Sequence, residues 1–135
     1  PAGSVVIGGD AGNIKPAPPR DNSTSAAVEL LAKDADVLVH SAMHPVFAPG
    51  AGSAFPPKLY YRQSTANDLG ALAQRAGVKQ LVLTHLIPAL GIESVGPWNL
   101  PGGPLKKADF ESVVKNAGFT GQIHVGIDLL TIRLQ

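Results

Sequence analysis

The stretch from Gln63 to His85, Gln-Ser-Thr-Ala-Asn-Asp-Leu-Gly-Ala-Leu-Ala-Gln-Arg-Ala-Gly-Val-Lys-Gln-Leu-Val-Leu-Thr-His, decides the fold. Leu69, Leu72, Ala73 and Ala76 recur at helical spacing and form the apolar stripe of a helix lying on a sheet. Ser64 or Thr65 is placed to cap its start, because a hydroxyl there accepts from an otherwise orphan N–H of the first turn. Gly77 is the stop, a residue that enters the left-handed region without a Cβ penalty. Leu81, Val82 and Leu83 then read as a short strand covered on both faces. His85 follows where that strand ends, and in open α/β sheets the carboxyl ends of strands are where sites form.

Upstream, Ser4 to Gly8 reads as a buried strand that runs into Gly8-Gly9-Asp10. A proline-rich loop follows, and Asn22-Ser23-Thr24, although it matches a glycosylation sequon, reads as a helix N-cap. A short helix is expected from about Ser25 to Lys33 with Ala27, Leu30 and Leu31 inward, then a strand from Ala35 to His40. Ser41 to Lys58 is a long loop, and loops of that length in a domain are usually functional. Downstream lie a second long loop, Leu86 to Pro104 with Trp98, and a helix from about Lys106 to Ala117 that stops at Gly118. Strands at Gln122 to Val125 and Leu129 to Leu134 close the chain. The order β-α-β-α-β-α-β-β argues for an α/β layered fold with a partly parallel sheet. Such a sheet sets Asp10, His40 and His85 at strand ends on one edge.

Composition narrows the classes. The 135 residues suit one domain with a real core. Eleven Lys and Arg stand against ten Asp and Glu and are scattered, which does not suggest a nucleic-acid binder working by charge alone. No apolar run is long enough to span a membrane, so no membrane partner is expected. Without cysteine, disulfides and thiolate metal sites are excluded, and the compartment stays open between periplasm and cytoplasm. The chain opens on Pro1 rather than Met, which leads us to expect a fragment or cleaved product.

An Asp and a His brought together at strand ends suit a divalent metal such as zinc, which takes imidazole nitrogen and carboxylate oxygen. A catalytic zinc usually takes three protein ligands, and the chain has no His-x-His or His-Glu-x-x-His spacing. The alternative is that His40 and His85 are hydrogen-bonded strand-end histidines and Asp10 a turn carboxylate.

From Val5 to His85 the chain resembles the C-terminal half of a metallo-β-lactamase-fold hydrolase of the ribonuclease Z and arylsulfatase-like branch. The resemblance rests on Gly9-Asp10, on Ala35-Asp36-Val37-Leu38-Val39-His40, on Ser64-Thr65-Ala66, and on the run from Ala76-Gly77-Val78-Lys79 to Thr84-His85-Leu86. It implies the C-terminal half of an αββα sandwich. It also implies that Asp10 bridges two divalent metal ions, usually zinc, that His85 ligates one of them, and that a metal-bound hydroxide attacks an ester, most often a phosphodiester. The family's His-x-His-x-Asp-His cluster belongs to an N-terminal half that these residues do not include, and that half of the same protein is the expected partner. Ribonuclease Z enzymes carry His-Glu-Ala-Thr where this chain has His40-Ser41-Ala42-Met43, and a catalytic histidine where it has Gln63. Gln63 is expected to contact a substrate oxygen, since glutamine cannot deliver a proton as an imidazolium does. His44 is the candidate to take over as proton donor or substrate contact. The expected substrate is a small ester or phosphodiester, with nucleic acid less favoured, and the aromatic loop with Phe47, Phe55, Tyr60 and Tyr61 is a candidate lid or homodimer contact. Two readings of other classes stand beside this one. One is a non-catalytic, degenerate module of the same fold that binds or assembles. The other is an unrelated receiver-like module, disfavoured because the acidic cluster such a module needs is missing.

Overall fold

In the computed structural model, which describes residues 3–134, the chain runs through β1 (Val5–Gly9), α1 (Ala26–Leu31), β2 (Val37–Met43), α2 (Pro57–Tyr60), α3 (Ala66–Ala76) and β3 (Gln80–Ile87), then β4 (Ser94–Val95), β5 (Trp98–Asn99), α4 (Lys107–Asn116) and β6 (Gln122–Val125). The main sheet has the order β1-β2-β3-β6 and every pair in it is parallel. Parallel neighbours need crossovers, and helices supply them, so helical and extended segments alternate along the chain.

The central helix forms as its spacing predicts. Thr65 is the N-cap, its hydroxyl accepting from the Asp68 N–H, and Gly77 closes the helix at φ 72°. Leu69, Leu72 and Ala73 are fully buried and lie in one core with Leu38, Leu81, Leu83, Phe110 and Val114. Burial of one such leucine is worth roughly 1.5–3 kcal/mol, so this helix–sheet contact is the main source of stability.

Register separates the two faces of the sheet. Val5 is opposite Val37, and Ile7, Val39, Val82 and His124 share one row, so these side chains stand on the face away from that core. That face is apolar yet partly open, with Val5 at 51% and Ile7 at 75% exposure. Residues 127–134 run across it. The Gln80 side-chain amide donates to the Arg133 carbonyl at 3.0 Å, and His124 Nε2 donates to the Gln80 side-chain oxygen at 2.9 Å. Beneath the segment lies a cavity of about 690 Å³ lined by Val5, Val39, Val82, His85, Leu130 and Leu134.

Several expected boundaries shift. Leu129 to Leu134 is not a strand, so the final β of the expected order is absent among the described residues. Leu130, Ile132 and Leu134 lie instead along the cavity over the apolar sheet face, and Leu129 at φ 62° begins the diversion. Val28 of α1 and Ala32 just past its end face inward, while Ala27 is exposed and Leu30 and Leu31 are 76% and 71% exposed. The helix is only six residues long, and its cap falls on Ser25. The two long loops also carry structure. Residues 41–43 extend β2, a single helical turn, α2, precedes α3, and β4 pairs with β5.

Candidate metal centre

Two irregularities in the parallel sheet build the site. On β1, Ile7 is opposite Val39 but Gly9 is opposite His40, so the pairing slips past Gly8. Gly9 then turns at φ 58°, and the Ala11 N–H closes the turn on the Gly8 carbonyl at 3.1 Å with Asp10 at its tip. On β3, Ser41 of β2 pairs with Thr84 and Ala42 with Leu86, so the extra residue is His85. Its φ of 40° is uncommon for a residue with a Cβ, and strain of this kind persists where the surroundings enforce it. Such bulges re-aim side chains beside functional sites. Here they bring His85 Nδ1 to 3.3 Å from Asp10 Oδ1 although their strands are separated by β2.

Both side chains are open, at 63% for His85 and 62% for Asp10, so their mutual attraction adds little to stability. The Ser41 hydroxyl beneath the pair, followed by His85, holds the Asp10 carboxyl below the usual carboxylate range. That hydroxyl makes no hydrogen bond of ordinary geometry and acts on Asp10 as a nearby dipole. A carboxylate kept ionised beside an imidazole is a donor set that a divalent metal accepts. Among the described residues no third His, Cys, Asp or Glu joins them. The pair fits part of a metal site in kind, and two donors fall short of the three protein ligands that a catalytic zinc usually takes.

His40 does not stand on this edge. It is wholly buried in mid-strand on the helix face of β2, because β2 continues to Met43. Its Nδ1 lies 2.8 Å from the Ser41 carbonyl, and its Nε2 has no partner. Burial lowers its pKa, with smaller opposing contributions from the Ser41 carbonyl and Asp10. Gly8 makes room for this ring: a Cβ there would stand 2.2 Å from His40 Cδ2.

His44 is also engaged. Its Nδ1 accepts from the Val46 N–H at 2.9 Å and caps a short 3-10 turn, so its Nε2 donates to the Asp109 carbonyl at 3.2 Å. The ring packs edge-on against Phe110 with centroids 5.0 Å apart, so both nitrogens and the ring face are engaged within the fold. Gln63 lies just before the α3 cap, and its side-chain oxygen is buried without a partner. Trp98 packs edge-to-face on Phe55, which stacks on Phe47.

The sequence reading missed a polar knot around the α3 N-terminus. Ser23 gives its N–H and hydroxyl to Asp68 at 2.8 and 2.6 Å, and its Oγ accepts from the Thr65 N–H at 2.9 Å. Ser64, wholly buried, donates to the Ala11 carbonyl at 2.7 Å. The only signal in the sequence was the Ser-Thr pair, which also fits plain helix capping.

No family model matches the chain. Ribonuclease Z of Ligilactobacillus salivarius (strain UCC118) is 42% identical over 66 residues, covering 49% of this chain and 19% of that protein. Ribonuclease Z of Shouchella clausii (strain KSM-K16) is 39% identical over 83 residues, covering 62% of this chain and 21% of that protein. The chain thus spans about a fifth of the length of these curated relatives. A crystal structure of the metallo-β-lactamase fold protein YhfI from Bacillus subtilis superimposes with a TM-score of 0.57 at 17% identity, covering 93% of this chain and 37% of that one. The chain therefore has a metallo-β-lactamase fold and is ribonuclease Z-like in sequence, over part of the length of each relative.

Proposed function

We propose that the chain is the C-terminal half of a metal-dependent hydrolase that cleaves an ester, and that its contribution to the metal site is Asp10 and His85. The observation that carries this reading is the 3.3 Å approach of Asp10 and His85 across an intervening strand, produced by a bulge on each side. Divalent ions bound there would polarise the substrate oxygen and supply a water made nucleophilic near neutral pH. The chain's own residues hold and orient. The Gly9 turn fixes the Asp10 carboxylate, the strained backbone at His85 aims the imidazole, and Ser41 lowers the Asp10 pKa further below the usual carboxylate range. Gln63 is the candidate substrate contact, through its side-chain NH2, which can donate to a substrate oxygen. His44, with both nitrogens bound, supports the fold in this reading.

A phosphodiester is the favoured substrate class because the sequence relatives are ribonucleases by name. The expected second layer of the sandwich, carrying the other ligands, suits the apolar sheet face on which Ile7 is 75% exposed. A second reading, a non-catalytic module that binds or assembles, draws on Gln63 and Ser41, which replace a histidine and an acidic residue of the ribonuclease pattern.

The test is metal analysis and hydrolysis of bis(p-nitrophenyl) phosphate by the full-length protein, with Asp10→Ala and His85→Ala. Each variant is expected to lose bound metal and to lower activity by at least the roughly 100-fold that even an outer-shell change can cost. Metal content unchanged in both would overturn the ligand assignment. Metal bound by the unaltered protein with no turnover of any ester would favour the second reading.

A further inference from the structure

We propose that Ser64 is a positioning residue for Asp10, acting through the backbone of the turn that carries it; this rests on the reading of Asp10 as a metal ligand. The carboxylate of Asp10 is 62% exposed and touches only His85 and the Ser41 dipole, so its place is set by its backbone. That backbone sits on Gly9 at φ 58°, in a turn with one internal bond, Ala11 N–H to the Gly8 carbonyl. The second restraint comes from a distant part of the chain. The Ser64 hydroxyl, with no exposure at all, donates to the Ala11 carbonyl at 2.7 Å, one residue past Asp10.

Ser64 is itself held firmly. Its carbonyl accepts from the Met43 N–H at 3.0 Å, tying it to β2, and the next residue caps α3. The Thr65 N–H is bound to Ser23 Oγ, and Ser23 is clamped by the Asp68 carboxylate. Ser64 thus connects the Asp10 turn to the helix that packs most deeply into the core. Hydrogen bonds made directly to a ligand side chain typically lower metal affinity about 10–100-fold when lost, and a bond to the backbone that carries the ligand acts in the same sense. The bond also accounts for a serine, rather than another small residue, immediately before the capping threonine.

The experiment is a zinc(II) titration of the full-length protein, with thermal unfolding of the metal-free form measured in parallel. Ser64→Ala is expected to weaken zinc binding about 10-fold, the low end of the range for direct partners of a ligand. Ser25→Ala, which removes the cap of α1 and touches nothing near Asp10, serves as a destabilised control with affinity unchanged. Affinity of Ser64→Ala within twofold of the unaltered protein would overturn the proposal. So would an equal loss in both variants, which would mark a purely structural role. If Ser64→Ala does not fold, Ser64→Cys keeps the volume and exchanges a strong donor for a weak one. It is titrated with manganese(II), which a thiol does not attract, and is expected to bind more weakly than the unaltered protein; equal binding would overturn the proposal. Asp10→Ala separates the two levels of argument. If it leaves zinc affinity intact, the metal assignment fails. If it abolishes binding and the Ser64 variants do not weaken it, only the positioning role fails.

Discussion

His44 illustrates how a side chain read as chemistry can be fully spent on structure. Both ring nitrogens are bonded, and burial lowers its pKa against a smaller opposing pull from the Asp109 carbonyl. The unfolded chain takes up this proton near 6.5, and the folded chain does so only at lower pH. Below 6.5 the unfolded state therefore binds more protons, and stability falls with pH until the folded value is passed. His40, buried and likewise lowered, adds to the loss in the same window. Urea unfolding followed from pH 7.5 to 5 is expected to show a shallower fall for His44→Asn than for the unaltered chain. An unchanged slope would mean that His44 is as readily protonated folded as unfolded. Tyr60 works at the other extreme: burial, first among its causes, pushes the phenol up to about 12, so stability is expected to fall between pH 10 and 12 and to hold in Tyr60→Phe.

Among the elements, α3 carries the fold, and its closest approach to α4 is made possible by Gly70. A Cβ at that position would meet the Val114 carbonyl oxygen at 2.7 Å and the Val114 Cα at 3.1 Å. Alanine in place of a mid-helix glycine ordinarily stabilises by about 1 kcal/mol. Here the obstacle is backbone, which cannot rotate away, and overpacking a tight core costs roughly 1–3 kcal/mol. Gly70→Ala is accordingly expected to fail to stabilise and to lower stability by up to about 2 kcal/mol in urea unfolding. A rise in stability would show that the two helices can separate freely. The helical spacing of Leu69, Leu72, Ala73 and Ala76 announced the buried face, but nothing in it distinguished Gly70 from a neutral small residue.

For the whole molecule the decisive feature is the sheet face opposite the core. Val5, Ile7, Leu129 and Leu130 are 51%, 75%, 99% and 40% exposed, and the crossing segment covers the face only in part. A surface of this kind marks an interaction site or an association liability. The 135-residue chain by itself is expected to bind a hydrophobic dye and to self-associate in sedimentation equilibrium, and Ile7→Lys is expected to reduce both. A dye-silent monomer would show that residues 127–134 shield the face in full.

The helix, its cap and stop and the α/β alternation were legible in the sequence, because spacing, capping chemistry and glycine conformation are local properties; that Asp10 and His85 meet was not, since His85 sits in a bulge inside β3 rather than at its end. The parallel order β1-β2-β3-β6 needed the tertiary structure, as did the two bulges, because pairing register depends on neighbouring strands. Burial of His40 likewise followed from three more residues of pairing in β2. The last apolar run looked like a strand, since its composition suits one. Only the packed molecule shows that this segment crosses an open apolar face instead of pairing at the edge strand. The same holds for Ser64, whose hydroxyl reaches a carbonyl 53 residues away and so restrains the turn that carries Asp10.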